Sequence, residues 1–177
     1  SVITGTATAI HIGSFDWVIF TLALTTTLFL QILSNLANDY GDAQKGTDNE
    51  NRLGPERSIQ SGAINKIQMK RAIVVFIFLS LFSGLVLVFY ATRTISFLYP
   101  LLFITIGLLS ILAAIKYTAG KGAYGYKGLG DLFVFIFFGL VGVVGTSVLY
   151  VHHFQLNMLF LGISIGCFSV AVLNLNN

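Results

Sequence analysis

The chain has 177 residues, of which 55% are apolar and only 10% are charged. Soluble domains carry about 25% charged residues, and a surface with so few charges does not stay in water. The composition therefore excludes a soluble globular domain and indicates an integral membrane protein. The net charge of +3 is interpreted as basic loops beside a membrane, so no nucleic-acid partner is expected.

Five uncharged apolar stretches are long enough to cross a bilayer, which takes about 20 residues per helix. They are residues 17–37, 72–92, 95–115, 132–151 and 156–175. Residues 1–16 begin apolar but are too short to span, so we interpret them as the end of a first helix whose beginning is missing. The prediction is an all-α, polytopic transmembrane helix bundle of about six helices, the first incomplete. Residues 1–177 are then part of a longer domain.

Basic residues are distributed unevenly between the predicted spans. Nine of the ten Lys and Arg lie in two loops, residues 39–71 and 116–131, and Arg93 alone lies on the other side. Cytoplasmic loops are enriched in Lys and Arg. Both long loops are therefore assigned to the cytoplasm, and the polar end of the last helix returns to the same side.

The second helix ends in a stripe of amides and carboxylates. Gln31, Asn35, Asn38 and Asp42 are spaced 4, 3 and 4 residues apart, which places them on one helical face, with Asp39 beside it. Polar groups inside a membrane are costly and are functional candidates by default. Neighbouring carboxylates suit a hard cation such as Mg²⁺. The alternative is a helix that simply becomes polar at the interface.

The loop after this stripe adds Asp48 and Arg57 as candidates. A carboxylate near the stripe would extend a cation site, and an arginine binds phosphate oxygens bidentately. Each has an equally plausible alternative, an interfacial carboxylate for Asp48 and a solvated arginine at the headgroups for Arg57.

These residues carry a resemblance. The segment from Gln31 to Asp42, followed by Gly46-Thr47-Asp48 and the Arg57 segment, resembles the first aspartate-rich motif of the UbiA superfamily of intramembrane prenyltransferases. The similarity is greatest to the branch that prenylates 1,4-dihydroxy-2-naphthoate in menaquinone synthesis. Asn38 and Asp42 fit the common pattern Asn-x3-Asp-x3-Asp, but its third position is Gly46. The resemblance implies Mg²⁺ held by Asn38, Asp39, Asp42 and Asp48, with Asn35, Asn38 and Arg57 at the substrate diphosphate.

The loop of residues 116–131 combines five glycines with interleaved Tyr and Lys. Composition alone indicates a belt of Tyr and Lys at the membrane interface. The resemblance instead implies a loop over the diphosphate, with Tyr117 and Lys121 catalytic beside Asp39 and Asp42, and Lys121 and Tyr124 binding the diphosphate. Asp131 is interpreted either as the N-cap of the fifth helix or as a functional carboxylate. Cys167, the single cysteine, is predicted to pack between helices.

The resemblance implies transfer of a polyprenyl group from polyprenyl diphosphate to 1,4-dihydroxy-2-naphthoate, with decarboxylation, to give demethylmenaquinol. The protein would use Mg²⁺, contact membrane lipid, and lie in the bacterial inner membrane with its site facing the cytoplasm. A second aspartate-rich motif would follow Asn174 and Asn177, so we expect the 177 residues alone to be inactive. The alternatives are another UbiA-type transferase, with 4-hydroxybenzoate, homogentisate or haem as acceptor, and a cation transporter whose polar cluster is the transport site.

Overall fold

The computed structural model describes residues 1–45, 59, 61–120 and 122–176. These residues form helices and turns with no strand among them, which confirms the all-α prediction. The helices are α1 (Val2–His11), α2 (Trp17–Lys45), α3 (Lys66–Thr92), α4 (Leu98–Lys116), α5 (Gly130–Val151) and α6 (Leu156–Asn176). A 3₁₀ turn, Gly125–Lys127, lies between α4 and α5.

Helices α2 to α6 are each long and apolar enough to cross a membrane, whereas α1 has only 10 residues. Large apolar side chains point outward from the bundle, and Phe82 and Phe168 are each 70% exposed. An outward apolar surface is stable in lipid and not in water. The chain is therefore an integral membrane protein.

The helices extend further than the apolar stretches that predicted them. Helix α2 continues past residue 37, through the predicted polar stripe, to Lys45, and α3 begins at Lys66, before the apolar stretch that starts at residue 72. Apolarity marks the part of a helix inside hydrocarbon, while capping sets its end. Asn65 caps α3, because its Oδ1 accepts from the backbone N–H of Ile67 and Gln68 while Gln68 Oε1 accepts from Asn65 N. The predicted loop of residues 39–71 was thus too long at both ends.

Helices α5 and α6 cross very closely. The middle of α5, Phe135–Gly145, is π-helical, and a Cβ on Gly139 would lie 2.5 Å from the carbonyl oxygen of Gly162. Small residues let membrane helices approach in this way. Cys167 lies outside this contact and is exposed, so the prediction that it packs between helices was wrong.

The two ends of the bundle differ in character. At one end, α1 packs against α2 and α5 through a cluster that includes Ala9, Ile19 and Leu149, and His152 Nε2 hydrogen-bonds the carbonyl of Ala91 at 2.7 Å. We call the other end, where α2, α4 and α6 finish and α5 begins, the polar end. Residues 117–129 connect α4 to α5 there.

Candidate functional site

A cavity of about 1250 Å³ runs along the interior of the bundle from the polar end. At the polar end its wall is made by α2 and by the 117–129 loop. Further along the helices the lining is apolar, with Leu30, Leu85, Phe103 and Val141 among its residues. One end of the cavity therefore offers hydrogen-bonding groups, and the rest offers hydrocarbon contacts.

The polar stripe of α2 faces this cavity. Gln31, Asn35, Asn38 and Asp42 all line it, and Gln31 Nε2 donates to Asn35 Oδ1 at 3.5 Å. The helical spacing read from the sequence thus brings these four side chains to one wall. Because they face a cavity rather than lipid, their presence in a membrane helix is accounted for.

Asp39 lies elsewhere on the helix. It follows Asn38 by one residue, so its side chain is rotated about 100° around α2. It is partly buried and does not line the cavity. Three other predicted site residues, Asp48, Arg57 and Lys121, lie outside the described residues.

Two contacts dock the 117–129 loop on α2. Buried Thr118 places its Oγ1 3.0 Å from the carbonyl oxygen of Ala37 and 3.0 Å from Oδ1 of Asn38. Gly41 permits this approach, since a Cβ there would lie 2.6 Å from the backbone carbonyl of Thr118. The loop is therefore fixed directly beside the amide of the predicted motif.

The second contact is made by Tyr126. Its hydroxyl donates a hydrogen bond to Oδ1 of Asp42, and Lys45 Nζ lies 3.5 Å from the centre of its ring. An ammonium over an aromatic face is attracted by the ring quadrupole. Tyr126 thus links Asp42 and Lys45 at the mouth of the cavity.

Aromatic rings form another part of the cavity wall. Tyr117 and Tyr124 both line the cavity and meet edge to face at 5.4 Å, and Tyr124 stacks on Phe133 at 3.9 Å. The hydroxyl of Tyr124 donates to the carbonyl of Ala113 at 2.8 Å. The predicted residues Tyr117 and Tyr124 are therefore at the site, where they present rings as well as hydroxyls.

Both phenols are held in their neutral form. Burial raises the pKa of Tyr124 to about 12, with a smaller contribution from Tyr117. Burial also raises the pKa of Tyr117, and the carboxylates of Asp131 and Asp42 raise it further. At neutral pH these residues can donate hydrogen bonds and offer electron-rich ring faces, but they do not act as phenolate bases.

Asp131 belongs to the first turn of α5 and does not cap it. The N-cap position is Leu129, which makes no side-chain cap. Asp131 Oδ2 instead accepts a hydrogen bond from Asn174 Nδ2 at 3.2 Å. The N-cap interpretation was wrong, because the helix begins one residue before Asp131, and this carboxylate joins the start of α5 to the end of α6.

Thr118, Tyr126 and Phe133 also line the cavity, and they were not predicted as site residues. Tyr126 belongs to the interleaved Tyr and Lys pattern that singled out the loop, so that pattern was a usable signal. Thr118 and Phe133 carry no such signal. A threonine after a tyrosine and a phenylalanine in an apolar helix are ordinary in any membrane protein.

The oxygen donors on the cavity wall fit Mg²⁺. Asn38 and Asp42 are one helical turn apart, and both are hard oxygen ligands. Within the described ranges, no group of three or more His, Cys, Asp or Glu gathers as a metal site. Mg²⁺ commonly takes only one or two carboxylates and completes its shell with water and substrate phosphate oxygens, so this sparse set suits a cation bound together with a phosphate substrate.

Comparison with known proteins identifies relatives along the entire chain. It is similar to 1,4-dihydroxy-2-naphthoate octaprenyltransferase of Escherichia coli (strain K12), at 46% identity over 177 residues, which cover 100% of this chain and 57% of that protein. The protein of the same name from Haemophilus influenzae is 44% identical, covering 100% of this chain and 58% of the relative. The protein of the same name from Mycobacterium leprae is 38% identical, covering 99% of this chain and 57% of the relative. No solved structure matches significantly.

The chain thus spans 57% to 58% of the length of the first two relatives. The family match itself covers all of residues 1–177. It agrees with the motif around Asn38 and Asp42 and with the helical bundle that holds it. The chain belongs to the UbiA prenyltransferase family.

Proposed function

We propose that the protein, at the full length of its relatives, transfers a polyprenyl group from polyprenyl diphosphate to 1,4-dihydroxy-2-naphthoate. The allylic carbon–oxygen bond to diphosphate breaks, a carbon–carbon bond to the aromatic ring forms, and the ring carboxylate leaves as CO₂. The product is demethylmenaquinol, an intermediate of menaquinone biosynthesis. The names of the relatives at 44% and 46% identity support this acceptor.

The observation that carries the proposal is the two-part lining of the cavity. Asn38 and Asp42 lie at its polar end, and apolar side chains such as Leu85 and Val141 line its length. A polyprenyl diphosphate has the same division, with an anionic head and a long hydrocarbon tail. The volume of about 1250 Å³ exceeds what a small hydrophilic substrate needs.

We propose that Asn38 and Asp42 hold Mg²⁺, with Asn35 beside the diphosphate. When bound, Mg²⁺ would stabilise the charge that develops on the leaving diphosphate. Asp48 and Arg57 are proposed as further ligands of cation and phosphate, and Lys121 as a charge partner of the diphosphate. We also propose that Asp39 acts at this site, with a smaller role than Asp42, because only Asp42 lines the cavity.

The aromatic residues would stabilise the allylic carbon of the polyprenyl group. The rings of Tyr117, Tyr124 and Phe133 lie on the cavity, and a ring face next to the allylic carbon would attract it as it gains positive charge. Neutral phenols next to it are poor nucleophiles. The apolar lining beyond them keeps out water that would otherwise capture the cation.

We propose that the protein lies in the bacterial inner membrane with the polar end facing the cytoplasm. Nine of the ten Lys and Arg fall within residues 39–71 and 116–131, the two segments assigned to this end, which fits the enrichment of basic residues on the cytoplasmic side. Both substrates would then reach the polar end from the cytoplasm.

The proposal is tested with the full-length protein purified in detergent. It is incubated with Mg²⁺, a polyprenyl diphosphate and one acceptor at a time: 1,4-dihydroxy-2-naphthoate, 4-hydroxybenzoate or homogentisate. Mass spectrometry of the lipid extract should show the decarboxylated prenyl product with the naphthoate alone. Products with either of the other acceptors, but not with the naphthoate, would assign the protein to another branch of the family.

A further inference from the structure

The hydroxyl of Thr118 faces two oxygen atoms but has only one proton. Its Oγ1 lies 3.0 Å from the carbonyl oxygen of Ala37 and 3.0 Å from Oδ1 of Asn38. Thr118 is only 6% exposed and Ala37 is fully buried. A hydroxyl donates one hydrogen bond and accepts others, so it can serve only one of these two oxygens fully as a donor.

The amide of Asn38 can resolve this conflict, whereas the carbonyl of Ala37 cannot. A backbone carbonyl only accepts, but a half-turn of the Asn side chain exchanges its oxygen for its NH₂ group. In the arrangement that satisfies every atom, Thr118 donates to Ala37 and Asn38 Nδ2 donates to Thr118. The carbonyl of Ala37 already accepts a helical hydrogen bond within α2. The arrangement is favoured because otherwise two acceptor oxygens would lie 3.0 Å apart with no proton between them.

The same half-turn decides which atom of the Asn38 amide is directed into the cavity. With Nδ2 directed at Thr118, the carbonyl oxygen of Asn38 is directed away from the loop. Asn38 lines the cavity one helical turn before Asp42. The amide then presents its acceptor oxygen, and not its NH₂ donors, beside the carboxylate of Asp42.

We propose that Thr118 is a positioning residue, which holds the Asn38 amide with its oxygen toward the cation site. The proposal rests on the proposed function, since it assumes that a cation binds at Asn38 and Asp42. Thr118 also lines the cavity, but its hydroxyl is engaged by Ala37 and Asn38. Its effect comes through the amide, and Gly41 supports it by allowing the Thr118 backbone to approach α2.

The test replaces the hydroxyl while keeping the shape. In the full-length protein, Thr118→Val removes the hydroxyl at nearly equal volume, and Thr118→Ser restores it. Mn²⁺, with inorganic pyrophosphate present, is titrated into each protein, and bound Mn²⁺ is measured by electron paramagnetic resonance. Loss of a group that orients a metal ligand typically weakens metal binding about 10- to 100-fold. We expect a loss of this size in the valine variant and recovery of most of the affinity in the serine variant.

A second background separates positioning from general stability. An aspartate has oxygen at both terminal atoms, so its orientation does not matter, and in Asn38→Asp protein the change Thr118→Val should have little effect on Mn²⁺ affinity. An equal loss in both backgrounds, or unchanged affinity in the Thr118→Val single variant, would overturn the proposal. Thermal unfolding of each variant shows whether a protein that binds Mn²⁺ weakly is misfolded. If the valine variant is misfolded, the Mn²⁺ affinity of the serine variant is the deciding measurement.

The outcomes also distinguish this inference from the proposed function. If the unmodified protein forms the prenyl product and the valine variant binds Mn²⁺ normally, the role of Thr118 is wrong and the function stands. If no acceptor is prenylated but the valine variant loses Mn²⁺, the function is wrong and the positioning role stands.

Discussion

The hydroxyl of Tyr126 donates a hydrogen bond to the carboxylate of Asp42, from a position 84 residues further along the chain. Lys45, three residues after Asp42, places its ammonium 3.5 Å from the centre of the same ring. The loop between α4 and α5 is thereby attached to the carboxylate that we propose as a cation ligand. A cation that binds Asp42 must compete with the phenol for its oxygens.

This competition predicts the effect of Tyr126→Phe. The change removes the donor and keeps the ring over which Lys45 lies, so Mg²⁺ should be required at lower concentration for half-maximal prenyl transfer. Tyr126 is 43% exposed, so we expect a modest shift of about 2- to 10-fold, which matches a net hydrogen-bond contribution of about 0.5–1.4 kcal/mol.

Tyr40→Phe is the matched control for Tyr126. Tyr40 also lies at the polar end, where its hydroxyl accepts from Gln44 Nε2 at 2.8 Å, but it does not line the cavity. Its Mg²⁺ requirement should stay unchanged. A higher Mg²⁺ requirement in Tyr126→Phe would show that the phenol assists the cation instead of competing with it.

The two carboxylates of the motif should differ in importance. Asp42 lines the cavity and Asp39 does not. Asp42→Asn replaces a charged oxygen ligand with a neutral amide, so kcat/KM at saturating Mg²⁺ should fall about 100-fold or more. In the Asp39→Asn variant, kcat/KM should fall distinctly less. Near-normal turnover of the Asp42 variant, or equal losses of kcat/KM at both positions, would contradict the proposal that Asp42 is a cation ligand.

Local spacing predicted the part of the site that one helix holds. Gln31, Asn35, Asn38 and Asp42 follow the helical repeat, and the structure places all four on the cavity wall. The same repeat shows that Asp39 is off the stripe, although the motif resemblance had grouped it with the ligands. The face of a helix on which a residue lies follows from its spacing to neighbouring residues, so it can be predicted from the sequence.

Contacts between distant segments could not be read in this way. Thr118 and Asn38 are 80 residues apart, and Asp131 and Asn174 are 43 apart. Their meeting depends on how four helices pack, and no local pattern records it. The apolar stretches also underestimated α2 and α3, because hydrophobicity marks only the part of a helix inside the membrane, while the Asn65 cap sets where α3 starts.

Alkaline pH should weaken the fold through Tyr124. Its pKa is raised to about 12 in the protein, against about 10 for an unfolded tyrosine. The unfolded chain therefore releases this proton first. The stabilising contribution is fully present below pH 10 and is lost as the pH rises from about 10 through about 12.

Tyr124→Phe tests this dependence directly. Unfolding followed by circular dichroism between pH 9 and pH 12 should show a shallower loss of stability in the variant than in the unmodified protein. Ultraviolet absorbance of phenolate in the folded protein should also lose a component that titrates at about pH 12. Identical pH profiles for the two proteins would contradict the burial of this phenol.

The crossing of α5 and α6 should not tolerate a methyl group. A Cβ on Gly139 would lie 2.5 Å from the carbonyl oxygen of Gly162 and 2.9 Å from the Cα of Gly166. Both neighbours are backbone atoms of a helix, so they cannot turn aside as a side chain would. Gly139→Ala must separate the two helices, and overpacking of this kind typically costs about 1–3 kcal/mol.

Gly107→Ala provides the control for this prediction, because Gly107 is also in a membrane helix but has nothing within 4 Å of its added Cβ. Alanine favours helix over glycine by about 0.5–1 kcal/mol, so this variant should be as stable as the unmodified protein or slightly more so. Unfolding by sodium dodecyl sulfate in mixed micelles, followed by circular dichroism, measures both. If the two variants unfold at the same detergent fraction, backbone contact at Gly139 does not limit how closely α5 and α6 pack, and the close crossing would have to be held by the side chains around it.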